Sequence, residues 1–221
     1  MEKIIAGFGE VMLRLAPPGK ARFIQELPGT LEASYGGGEA NVCVSLAVLG
    51  AKSRYLTALP LNPISNAFAI QLRGLNVDVD RIHYTKTGRI GVYYAEHGAV
   101  QRSSNVVYDR EHSVISETAP GDYDFAAMLE NVGHLHISGI TPALSEKAFC
   151  STLAITKFAS EHGIRISCDL NFRKKLWNWE PGTAPEALAR KCMEQIVTFA
   201  DIIIGNEEDA ELCLGFKPDA D

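Results

Sequence analysis

Short apolar segments alternate along the chain with longer segments in which apolar residues recur at helical spacing. The former are typical of buried strands, and the latter of helices that pack against a sheet. The predicted strands are 3–8, 53–58, 134–138, 165–169 and 202–205. The predicted helices are 41–49, 64–73, 146–162 and 185–199. This order of elements predicts an α/β protein with a central, mostly parallel sheet.

Two segments, 11–35 and 88–113, interrupt this alternation. The first has prolines and glycines without a helical period, and the second contains two apolar runs that are typical of a hairpin. A hairpin does not fit between the strands of a parallel sheet, so we expect the two segments to pair as a small separate sheet. Ligands of α/β proteins bind at the carboxyl ends of the strands, where such a sheet would form a lid.

The composition is that of a globular domain, with 46% hydrophobic and 22% charged residues, and we treat all 221 residues as one domain. The 21 Lys and Arg against 27 Asp and Glu give a net charge of −6, which argues against nucleic acid or a membrane surface as a partner. No secretion signal or membrane-spanning run is visible, and the five cysteines form no C-x-x-C pair. We therefore expect buried free thiols and a cytoplasmic protein.

Two short motifs suggest chemistry that their surroundings do not support. Gly7-Phe8-Gly9 starts like a dinucleotide fingerprint, but Met12 takes the place of the third glycine and Glu10 puts an acid where a pyrophosphate would lie. His134 and His136 share one face of a predicted strand, as metal ligands can, but no third ligand follows at a suitable spacing. We favour hydrogen-bonded histidines of a buried strand and assign no metal ligand.

The segment Tyr35-Gly36-Gly37-Gly38-Glu39-Ala40-Asn41 joins the first lid segment to a predicted helix. Its glycines permit close approach of a ligand to the backbone. Asn41 has two interpretations at this stage: it caps the helix, or its amide turns towards a ligand hydroxyl.

Four motifs occur in an order that resembles the ribokinase-like (PfkB-type) sugar kinases. They are Y-G-G-G-E-A-N at 35–41, Y-D-R at 108–110, S-G-I-T-P-A-L at 138–144 and D-L-N-F-R at 169–173. Together they are similar in particular to 2-keto-3-deoxygluconate kinases, and the resemblance extends over essentially all 221 residues. It implies a three-layer α/β/α fold with a β-sheet lid.

The resemblance also implies an activity, in which the γ-phosphoryl group of ATP, with Mg²⁺, is transferred to a hydroxyl of a sugar acid beneath the lid. The implied substrate-binding residues are Gly37, Asn41, Tyr93, Tyr108, Arg110 and Arg173. An arginine suits this substrate because its guanidinium binds a carboxylate through two hydrogen bonds. A surface salt bridge is the alternative for Arg173, and Tyr94 packs elsewhere if Tyr93 faces the ligand.

The nucleotide side of the implied site is less complete. Asn171 and Asn206 match nucleotide-side positions, whereas Asp209 stands where the family has a glutamate, so Asp209 receives no metal role. The family's Gly-Ala-Gly-Asp segment, which holds the catalytic aspartate, does not occur. We therefore expect that aspartate beyond Asp221, assign no catalytic residue here, and expect the isolated 221 residues to be inactive.

Two other functions compete with this interpretation. One is a kinase for another sugar, such as a fructokinase, and the other is a non-catalytic module that binds a sugar acid. Association of identical chains through the lid is a further expectation.

Overall fold

A computed structural model describes residues 3–217, arranged as strands and helices close to the predicted bounds. The strands are β1 (Ile4–Phe8), β2 (Met12–Ala16), β3 (Glu32–Gly36), β4 (Ser53–Leu56), β5 (Ala58–Pro60), β6 (Val77–Asp78), β7 (His83–Thr85), β8 (Gly91–Glu96), β9 (Asn105–Asp109), β10 (Val132–Ser138), β11 (Arg165–Asp169) and β12 (Ile202–Ile204). The helices are α1 (Phe23–Glu26), α2 (Gly38–Val48), α3 (Pro63–Gly74), α4 (Val114–Glu117), α5 (Phe125–Met128), α6 (Glu146–Glu161), α7 (Pro185–Val197) and α8 (Glu207–Leu214).

The central sheet has the strand order β12-β11-β10-β1-β4-β6, and every neighbouring pair in it is parallel. Apolar clusters lie on both of its faces. Tyr55 and Leu56 are adjacent in β4 and fully buried, but they belong to different clusters because successive side chains of a strand point to opposite faces. Helix α2 packs on one face, against Tyr55, and α6 and α7 contribute to the cluster on the other. The predicted α/β class is confirmed.

The small separate sheet that we predicted is present, with the strand order β3-β2-β8-β9. Strands β2 and β3 come from the first interrupting segment, and β8 and β9 form the antiparallel hairpin of the second. The two segments meet where β2 pairs with β8 in parallel, so the sheet is mixed. Strands β5 and β7 form a further two-stranded sheet, which the sequence did not predict.

Helix α2 begins three residues earlier than predicted, and this decides whether Asn41 caps it. Gly37 occupies the position before the first helical residue, and the backbone N–H of Asn41 already donates to the Gly37 carbonyl at 2.9 Å. Asn41 therefore lies inside the first turn, and the interpretation of Asn41 as the helix cap is wrong. Glu39 and Ala40 of this first turn are buried.

His134 and His136 share a single hydroxyl group as partner. Their Nε2 and Nδ1 atoms, respectively, lie 2.8 and 2.9 Å from the Oγ atom of Ser167 on β11. Burial lowers the pKa of both imidazoles. In residues 3–217, no group of three or more His, Cys, Asp or Glu side chains is arranged to hold a metal ion.

The outermost strand of the central sheet, β12, has one unpaired edge within the described part of the chain. Ile202, Ile203 and Ile204 are each at least 39% exposed.

All five cysteines are free, and four of them are buried. Across the described residues, no helix has the length and apolar character needed to cross a membrane.

Candidate active site

A cavity of about 390 Å³ lies between the small sheet and the carboxyl ends of the central strands. It contains all six predicted substrate-binding residues, which are Gly37, Asn41, Tyr93, Tyr108, Arg110 and Arg173. Asn171, predicted for the nucleotide side, also lines it, whereas Asn206 is not among the described residues that do. The location agrees with the general rule for α/β proteins, in which ligands bind beyond the carboxyl ends of the strands.

Tyr93 and Tyr108 form an aromatic pair on the small sheet. They are directly opposite each other in the pairing of β8 with β9, and their ring centroids are 6.1 Å apart. Tyr94 points to the other face of the sheet and packs edge-on against Phe23. A Cβ atom on Gly36 would lie 3.0 Å from Cε1 of Tyr93, so the Tyr93 ring lies close against the backbone of this glycine. The alternation along β8 thus selects Tyr93 for the cavity.

Arg110 is buried and already has an anionic partner. Its Nη2 atom donates to Oε2 of Glu10, and its guanidinium carbon lies 5.4 Å from the centroid of the Tyr108 ring. Sequence reasoning missed Glu10 as a site residue, because it used this acid only to exclude a pyrophosphate. The two residues are 100 positions apart, and no local pattern connects them.

Arg173 differs from Arg110 because it is exposed to solvent. Its Nη1 atom donates to the carbonyl of Phe172 at 3.0 Å, and no carboxylate of the described chain lies within ion-pairing distance of it. The neighbouring Lys174, by contrast, pairs with Glu186 at 2.7 Å. Residues 3–217 thus form no surface salt bridge with Arg173, and they leave its charge available to a ligand.

The turn that carries Arg173 is held by two acids. Asn171 has a left-handed backbone (φ 37°), and its N–H donates to Oδ1 of Asp169 at 3.1 Å. The N–H of Phe172 donates to Oδ1 of Asp209 at 3.1 Å. An asparagine tolerates this backbone better than most residues. These bonds fix the direction in which the chain leaves β11, and so direct Arg173 towards the cavity.

Asn206 and Asp209 cap helix α8. Oδ1 of Asn206 accepts from the N–H of Asp209 at 2.8 Å, and Oδ2 of Asp209 accepts from the N–H of Asn206 at 3.3 Å. Both carboxylate oxygens of Asp209 thus bind backbone amides. The nucleotide-side role of Asn206 stays a prediction.

Glu39 is a second acid of the cavity that sequence reasoning did not assign. It is 1% exposed, and the Ser138 hydroxyl donates to its Oε1 atom. Burial raises the pKa of Glu39 to about 7, and nearby Glu10 and Asp169 act in the same direction. Its hydrogen-bonded partner lies 99 residues away, which explains why the G-G-G-E-A-N motif alone did not indicate a buried acid.

The sequence profile of the pfkB family carbohydrate kinases matches residues 5–221. The chain belongs to this family. The predicted family is thereby confirmed.

Relatives of this PfkB chain include kinases named for sugar acids and a kinase named for fructose. The 2-dehydro-3-deoxygalactonokinase of Haloferax volcanii is 32% identical over 213 residues, which cover 96% of this chain and 64% of the relative. The crystal structure of 2-dehydro-3-deoxygluconokinase from Thermotoga maritima is 40% identical with a TM-score of 0.90, and the match covers 99% of this chain and 64% of that one. A fructokinase of Solanum tuberosum is 25% identical over 93% of this chain and 61% of its own length. The chain thus spans somewhat less than two thirds of these relatives.

Proposed function

We propose that this protein phosphorylates a 2-keto-3-deoxy sugar acid, converting 2-keto-3-deoxygluconate to its 6-phosphate. The observation that carries the proposal is that two arginines, Arg110 and Arg173, line one cavity beneath the small sheet. The chain as a whole is negatively charged, so an anionic substrate has to be held by specific cations rather than by a broad positive field. A neutral sugar would not require two guanidinium groups.

The other cavity residues suit the rest of such a substrate. The rings of Tyr93 and Tyr108 cover a carbon chain and offer phenol groups to its oxygens, while the amide of Asn41 can both donate to and accept from hydroxyls. The backbone of Gly37 is accessible at the cavity wall. In this proposal the small sheet acts as a lid, and its exposed edge strand β9 is where copies of the chain would associate.

The choice of sugar follows from the relatives together with the arginines. Relatives named for keto-deoxy sugar acids are up to 40% identical, whereas the potato fructokinase is 25% identical. The relatives include enzymes named for both the gluco and the galacto acid, which differ only in the configuration of one hydroxyl group. The carboxylate is common to both, and it is the feature that the arginines would recognise.

ATP and Mg²⁺ are part of the proposal through the family. In this proposal the cavity is the sugar side, and Asn206, which caps the start of α8, is the expected nucleotide-side contact. The catalytic aspartate is expected beyond Asp221, and residues 218–221 lie outside the described residues. We place the activity in the cytoplasm, where free thiols such as the five of this chain stay reduced.

An assay of ATP consumption on the complete natural protein tests the proposal. The substrates are 2-keto-3-deoxygluconate, its galacto epimer, fructose and a nucleoside. We expect turnover with the keto-deoxy acids and little with the neutral substrates. Preferred turnover of fructose would replace the sugar acid by the alternative substrate, and binding of the acids without turnover would indicate a non-catalytic module.

The tyrosine pair provides a finer test of the cavity. Changing Tyr93 or Tyr108 to phenylalanine is expected to leave folding intact and to weaken sugar-acid binding by about 0.5–1.5 kcal/mol, the value of one neutral hydrogen bond. Tyr94→Phe is the matched control, because Tyr94 faces away from the cavity. Calorimetric titration measures all three variants. If both cavity variants bind like the control, the tyrosines belong to the scaffold of the sheet and not to the binding site.

A further inference from the structure

The carboxylate of Glu10 joins two segments that are distant in the sequence. Its Oε2 atom accepts from Nη2 of Arg110, and its Oε1 atom accepts from the hydroxyl of Ser113 at 2.7 Å. Glu10 is 3% exposed and Arg110 is 7% exposed. A pair so shielded from water differs from a surface ion pair, because removal of one partner leaves the other charge buried and uncompensated.

The pair lies where the chain passes between the two sheets. Glu10 is in the short connection from β1 of the central sheet to β2 of the small sheet. Arg110 directly follows β9, the last strand of the small sheet, and Ser113 precedes α4, where the chain returns to the main body. Glu10 therefore ties the point at which the chain enters the small sheet to the point at which it leaves.

The surroundings hold the Arg110 guanidinium in place and still leave donors free. A Cβ atom on Gly91 would lie 3.0 Å from Oε1 of Glu10 and 3.1 Å from Cβ of Arg110, so the pair packs tightly against this glycine. The ring of Tyr108 flanks the guanidinium. A guanidinium has five N–H donors, and within the described chain Glu10 accepts from Nη2 while Nε has no partner.

We propose that Glu10 is a positioning residue for substrate recognition. It holds Arg110 by one side of the guanidinium, so that the remaining donors face the cavity and meet the carboxylate of the sugar acid. In this arrangement Arg173 contributes a positive charge that no carboxylate of the described chain neutralises. Arg110 fixes the orientation of the substrate carboxylate. This inference rests on the proposed function, since it requires an anionic substrate.

Glu10→Ala in the complete natural protein tests the role, with initial rates measured for 2-keto-3-deoxygluconate and for an analogue whose carboxylate is reduced to an alcohol. A misplacement of about 1 Å can cost about 100-fold in an enzyme site. We expect KM for the acid to rise by about 10- to 100-fold while KM for the alcohol changes by less than about threefold. Glu10→Gln, which keeps an oxygen acceptor, should restore part of the loss.

A double-mutant cycle separates positioning from general stability. Once Arg110 is replaced by alanine, the further change Glu10→Ala should cause no further rise in KM for the acid, because Glu10 acts through Arg110. Ser113→Ala, which removes only the second bond of Glu10, is the control for loosening of the connection. If Glu10→Ala does not fold, as shown by circular dichroism, the same cycle is measured with Glu10→Gln.

Three results with the variants would overturn the inference. Equal losses for acid and alcohol would make Glu10 a structural residue, and additive losses in the cycle would mean that it does not act through Arg110. A lower KM for the acid would show that Glu10 competes with the substrate for Arg110. Failure of the unmodified protein to phosphorylate any sugar acid would instead contradict the proposed function, and the inference with it.

Discussion

Replacing Arg173 with alanine in the complete protein is expected to weaken the use of 2-keto-3-deoxygluconate by about 30-fold or more. Removal of one partner of a desolvated charge pair costs about 2–5 kcal/mol, which corresponds to about 30- to several-thousand-fold in affinity. Arg173 is exposed to solvent, and its only described side-chain bond is to a neighbouring carbonyl. We therefore expect the lower part of that range.

The analogue with an alcohol in place of the carboxylate shows whether the charge is what matters. Its kcat/KM should fall far less in Arg173→Ala, because an alcohol does not need a cation. Lys174→Ala is the matched control: Lys174 lines the same cavity on the same turn but is paired with Glu186. Equal losses for acid and alcohol would mean that Arg173 is structural or serves the nucleotide, and the sugar-acid assignment would lose its main support.

Replacing Glu39 with glutamine is expected to remove a large part of the pH dependence of folding stability. Burial raises the pKa of Glu39 from its ordinary 4.5 to about 7. The unfolded chain releases this proton near pH 4.5, and the folded chain keeps it up to about pH 7. Between these values the folded state binds the extra proton, so the free energy of unfolding falls as the pH rises. One pKa unit corresponds to about 1.4 kcal/mol, so the loss amounts to about 3 kcal/mol.

Urea unfolding of the complete protein between pH 4.5 and pH 8 measures this loss. The amide of a glutamine resembles the protonated acid, so the free energy of unfolding of Glu39→Gln should fall across this window by about 3 kcal/mol less than that of the wild type. Glu32→Gln is the control, because Glu32 is an exposed glutamate on β3 and should leave the wild-type profile unchanged. Parallel profiles of the wild type and Glu39→Gln would show that the Glu39 carboxyl is already ionised at low pH.

The sequence by itself determined the order of the elements, the fold class and the candidate cations. Burial imposes a period of two on strands and of 3.6 on helices, so alternation of apolar segments predicts a parallel α/β sheet before any contact is known. The same local information identified segments 11–35 and 88–113 as exceptions. Arg173 was implied by the resemblance of the motif at 169–173 to a known family, and such a motif is visible in the sequence because its residues are neighbours along the chain.

The tertiary structure alone decided which side chains meet. Glu10 and Arg110 are 100 residues apart, and Ser138 and Glu39 are 99 apart. The residues next to either acid in the sequence therefore do not distinguish it from an ordinary surface glutamate. Packing of the first turn of α2 decided the position of Asn41 as well, since an asparagine near a helix start is equally compatible with a cap. The periodicity of apolar residues indicates which side of one segment is buried. A buried acid, by contrast, is stabilised by a partner on another segment, and only the tertiary structure shows that partner.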